Sequence, residues 1–68
     1  MKYKVFIEYH VEYENGEANG VRTYDCDNCG NGFSYEEAEA WAEGLRILDK
    51  KGILNYHLTV IKIEEMGA

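Results

Sequence analysis

The chain has 68 residues, 46% of them hydrophobic and 13% aromatic, with two cysteines and no proline. That length makes one domain with one core, and burying only about 60% of the unfolded surface leaves such a domain marginal without a staple or a partner. A formal net charge of −6 opposes binding to nucleic-acid phosphates, and no apolar run approaches the ~20 residues that span a bilayer.

The charge is uneven. Residues 12–43 carry nine acids against Arg22 alone, a balance of −8, while the remainder is net +2. An acidic middle steers a protein toward basic surfaces, beyond its ordinary role in solubility. The N-terminus, Met1-Lys2-Tyr3-Lys4-Val5, has no apolar signal-peptide segment and begins directly as a strand. The expected location is therefore the cytoplasm, where thiols and metal ligation are favoured over disulfides.

Residues 2–13 alternate with period two: Tyr3, Val5, Ile7, Tyr9, Val11 and Tyr13 share one face, with Lys2, Lys4, Glu8, His10 and Glu12 on the other. Only Phe6 breaks the polar face. Asn15-Gly16 and Asn19-Gly20 bracket a turn, and Val21 to Cys26 forms the return strand. Residues 25–32, rich in Asp, Asn and Gly, form a loop.

Ser34-Tyr35-Glu36-Glu37 matches the capping box, so a helix is expected from Ser34 to about Lys51 with Gly52 as a left-handed cap. Its expected apolar stripe is Tyr35, Ala38, Trp41, Ala42, Leu45 and Leu48. Gly44 in mid-helix weakens it by about 1 kcal/mol relative to alanine, which either permits close packing on the sheet or has no structural purpose. Residues 53–64 form the last strand, whose poor alternation does not fix its buried face; a parity shift near Val60-Ile61 fits either a bulge or burial on both sides. The expected fold is α+β: a single ββαβ domain over residues 1–68, whose three-stranded antiparallel sheet in order 2-1-3 carries one helix on one face.

Cys26-Asp27-Asn28-Cys29-Gly30 is a C-x-x-C-G turn, the usual knuckle that supplies two zinc ligands. If the hairpin is centred on Asn15–Gly20, His10 falls near Asp25 or Cys26. If strands one and three align end to end, His57 lies across from His10. Cys26, Cys29, His10 and His57 would then converge into a Cys₂His₂ zinc site. The competing reading makes Cys26 a small core residue, Cys29 an exposed turn thiol and both histidines solvated. A redox or nucleophilic thiol fits poorly, because Gly30–Phe33 separate the pair from the helix cap and Asp25 and Asp27 disfavour a thiolate. The same loop partly follows a calcium-binding pattern from Asp25 to Glu36, but Cys29 stands where an oxygen ligand belongs.

Glu36, Glu39 and Glu43 fall in one outward row on the helix, without sign of the cleft that acid–base chemistry needs. Tyr24 and Tyr56 are expected to stay exposed as contact residues, while Tyr3, Tyr9, Tyr13, Tyr35 and Trp41 form the core. The two edges of the sheet also offer a surface on which two copies can pair as a homodimer.

In its size, acidity and lack of catalytic groups the chain resembles, at the level of a class, the small phage-encoded anti-CRISPR inhibitors of bacterial defence. That resemblance implies a non-enzymatic protein that occludes the basic nucleic-acid groove of a nuclease in the host cytoplasm, without touching nucleic acid or membrane itself. Glu12, Glu14 and Glu17 on the hairpin, with Glu36, Glu39 and Glu43 on the helix, would face that groove. The alternative is a stand-alone zinc-knuckle domain with a structural or regulatory role.

Overall fold

A computed structural model describes residues 1–11 and 20–67. The elements follow the expected order: β1 (Tyr3–Val11), β2 (Gly20–Cys26), α1 (Tyr35–Lys50) and β3 (His57–Glu65). β1 is central and pairs antiparallel with both neighbours, giving the order β2-β1-β3. Tyr13 and the two Asn-Gly turns, apart from Gly20, lie outside the described residues.

The period-two face of β1 does what its pattern predicts. Val5 and Ile7 are buried, with Tyr3 and Tyr9 packed partly buried around them. Ile61 and Ile63 of β3 stand opposite Ile7 and Val5 and extend that apolar face. A register shift between Glu8 and Tyr9 leaves Thr59 as the extra residue of β3, beside the expected position of the bulge. Its hydroxyl is shared between the Glu8 carbonyl oxygen at 3.1 Å and the Glu8 carboxylate at 3.2 Å.

The capping box is complete. The Glu37 amide donates to Ser34 Oγ at 3.2 Å, and the Ser34 amide donates to Glu37 Oε1 at 3.1 Å. The bond from the Ser34 backbone holds the Glu37 carboxyl below its usual range. A carboxyl whose pKa falls on folding adds stability above its unfolded pKa, and that stability is lost as pH drops through the folded value. Ser34→Ala should therefore destabilise the domain by about 1 kcal/mol at neutral pH. Glu37→Gln, which leaves no carboxyl to titrate there, should shrink the loss of stability on acidification below the ordinary glutamate range, as followed by urea melts across pH; an unchanged acid limb would contradict this role for the cap.

At the other end of α1, the Gly52 amide donates to Asp49 O and the Ile53 amide to Leu48 O, with Gly52 at φ +71°. This is the Schellman closure that a left-handed glycine allows. It also explains why β3 begins at His57 rather than near residue 53. Ile53 to Tyr56 turn back across the helix end, and Asp49 Oδ1 then accepts from the Leu58 amide at 3.3 Å to start the strand.

The face that α1 buries differs from the expected stripe. Ala38 and Ala42 are fully buried and Leu45 partly so, whereas Tyr35 and Trp41 are 50% and 52% exposed. Two alanines one turn apart let the helix axis come close to β1 and β3, and the bulky neighbours are displaced to its flanks. Gly44 does not touch the sheet: a Cβ added there would meet nothing within 4 Å. α1 lies over β1 and β3 and leaves β2 uncovered, so Tyr24, on the same face as Ile7, remains 59% exposed.

Candidate functional site

The two histidines are brought together as expected. His10 pairs directly with His57 across β1 and β3. The hairpin register is slipped by four to five residues from the turn-centred expectation, so His10 faces Val21 and Cys26 faces Val5. Residue 5 belongs to the buried face of β1 and residue 10 to the opposite face. Cys26 therefore lies on the other side of the sheet from both imidazoles, and five strand positions separate them by about 16 Å. The turn bearing Cys29 leads away to Gly32, beside Lys2 and Met66 at the Cys26 end.

The expected Cys₂His₂ convergence is thus not formed, and its physical cause is the core. Pairing Cys26 with Val5 packs the half-buried sulfur against the apolar cluster, which a turn-centred register would not do. Among the described residues no group of three or more His, Cys, Asp or Glu is placed to hold a metal ion. Cys26 and Cys29 carry no disulfide, and Cys29 is exposed at φ +55°.

The open face of the sheet carries two ion pairs. Lys4 Nζ lies 3.0 Å from Asp25 Oδ2, and that hydrogen bond holds the Lys4 ammonium above the usual lysine range. Lys62 Nζ lies 3.5 Å from Glu64 and 4.9 Å from the centre of the Phe6 ring, which is half-buried beneath it.

The helix side is different. Glu36, Glu39 and Glu43 are exposed in one row, and Arg46 lies 3.9 Å from Glu43. An open groove runs between this row and β3, lined by Tyr35, Glu39, Ala40, Glu43, Arg46 and Ile63. The far flank of α1, toward β2, carries Trp41 and Leu48, with Trp41 resting against Phe33 at 6.0 Å between ring centres. Tyr24 is exposed as expected. Tyr56 is not: it is half-buried and tilted against Tyr9 at 4.7 Å. Glu12, Glu14 and Glu17 lie outside the described residues.

An apolar groove of ≈ 240 Å³ over Gly44, lined by Ala40, Trp41, Gly44, Leu45 and Leu48, was not expected from the sequence. Its signal was present in the Ala38–Ala42 spacing. Once the small pair is taken as the buried edge, Trp41 and Leu48 must lie toward solvent. None of the described helices is long and apolar enough to cross a membrane. No family model, curated protein or solved structure matches the chain.

Proposed function

We propose that the chain is a non-enzymatic protein-binding domain whose acidic helix flank occupies a basic, nucleic-acid-binding groove on a partner, as an inhibitor of a bacterial defence nuclease would. The observation that carries this reading is the contrast between the two sides. On the open sheet face both Lys4 and Lys62 are paired with carboxylates, whereas the helix side presents Glu36, Glu39 and Glu43 to solvent with Arg46 beside Glu43. Exposed carboxylates of this kind are poor general acids or bases, which depend on desolvation and a paired group. They are suited to electrostatic steering, with exposed Tyr24 as an aromatic contact on the same side of the sheet.

The test is competition between this protein and duplex DNA for purified RNA-guided nucleases, read by mobility shift at low and high salt. Wild-type protein should displace DNA, less so as salt rises. Reversing Glu36, Glu39 and Glu43 together to lysine should weaken that displacement about 10–100-fold, since rim charges contribute roughly 0.2–1 kcal/mol each and reversal adds repulsion. Glu37 stays in place to keep the helix capped. Displacement that survives the triple reversal would defeat the proposal.

A further inference from the structure

Gly44 weakens α1 without giving anything back inside the monomer, since the space where its side chain would lie is open. It also marks the centre of the exposed apolar helix face. At 3.6 residues per turn, Ala40, Trp41, Ile47 and Leu48 all fall within about 60° of Gly44, while the buried Ala38 and Ala42 point the other way. The same face ends in opposite charges. Glu37 lies seven residues before Gly44 and Lys51 seven after, each within about 20° of it.

We infer that this face pairs two copies of the chain, antiparallel, about a two-fold axis at Gly44. A parallel pairing would set Glu37 against Glu37. The antiparallel one sets Glu37 of each copy beside Lys51 of the other and Trp41 against the other's Leu48, and it opposes the two helix dipoles. The missing side chain at Gly44 lets the axes approach, and the groove beside it receives apolar groups of the second helix. Glu37 keeps its cap, because Oε1 holds the Ser34 amide while the second oxygen meets the lysine. Four helical turns bury about 1,000 Å² in total, the low end for a specific contact, so the dimer exchanges reversibly. Glu39 and Glu43 lie toward the β3 flank and stay outside the contact.

Sedimentation velocity from micromolar to millimolar protein, at physiological salt, tests this. Wild-type protein should shift from monomer to dimer across that range. Gly44→Lys sets two ammonium groups together on the axis and should stay monomeric throughout, while its thermal melt shows a fold at least as stable as the wild type. Lys51→Glu and Glu37→Lys should each weaken self-association at least tenfold. Mixing those two variants should restore a dimer, because the acidic ends of one then meet the basic ends of the other. Loss of the Ser34 cap alone would not give that rescue. A wild-type protein that remains monomeric would overturn the inference. So would a dimer indifferent to Gly44→Lys, which would point to the sheet edge, or a mixture no heavier than its parts.

Discussion

Phe33→Ala is expected to destabilise the domain by about 3–5 kcal/mol, the range for deleting a buried aromatic ring. Phe33 is 7% exposed and, among the described residues, belongs to a core of five buried side chains in which Val5, Ile7 and Phe33 are the ones larger than alanine. Its backbone is bonded both ways to Tyr3, each at 2.8 Å, so the ring is held over the sheet by a two-residue bridge rather than by a regular element. Trp41 rests on the same ring and closes it from the helix side. Removing the ring opens the space beneath the first turns of α1, and the surrounding alanines cannot move in to fill it. At 0.05–0.15 kcal/mol per residue a chain this size is stable by roughly 3–10 kcal/mol, so much of the population should be unfolded at 25 °C. Urea titration followed by far-ultraviolet circular dichroism measures this directly. A loss below about 1 kcal/mol would show that Phe33 is not the anchor of the core.

The parts of this fold that were legible in the sequence are those governed by local rules. The alternation of Tyr3, Val5, Ile7 and Tyr9, the box formed by Ser34 and Glu37, and the left-handed Gly52 each depend on residues within a turn or a strand. They led to the correct element order and sheet order. The row of Glu36, Glu39 and Glu43 and the exposure of Tyr24 followed from the same local placement.

What the sequence left open depended on tertiary competition. The apolar arc from Tyr35 through Ala38, Trp41, Ala42 and Leu45 to Leu48 is broader than the strip a helix can bury on a narrow sheet. Which part turned inward was settled by how closely Ala38 and Ala42 let the axis approach. The cysteine and histidine placement needed two strand registers at once. The one between β1 and β3 was as expected, joining His10 to His57, while the hairpin slipped to pack Cys26 opposite Val5. A single slip of that size, together with the face change it brings, is enough to undo a four-ligand site.

The left-handed turn before Phe33 should be nearly as sensitive as the ring itself. Gly32 is buried at φ +77°, where any side chain carries backbone strain of about 1–2 kcal/mol. A Cβ at this position would also lie 2.7 Å from Lys2 Cβ and 2.9 Å from Met66 Sδ. The methionine sulfur has room to swing, but Lys2 Cβ is fixed to a backbone whose carbonyl accepts from the Met66 amide at 2.9 Å. The glycine cannot retreat, since its own amide donates to Asp27 O at 2.7 Å and its carbonyl accepts from Asn28 Nδ2 at 3.2 Å. Gly32→Ala should therefore cost about 2–4 kcal/mol, combining strain with overpacking, and lower the melting temperature by roughly 10–25 °C. Gly30 supplies the internal comparison. It has φ +88° with nothing within 4 Å of an added Cβ, so Gly30→Ala should show the conformational part alone, about 1–2 kcal/mol. Equal losses in the two variants would mean that the chain ends do not close over Gly32. A clear excess for Gly32→Ala would locate the junction between Lys2, Met66 and the turn as the point where both chain ends are fastened to the core.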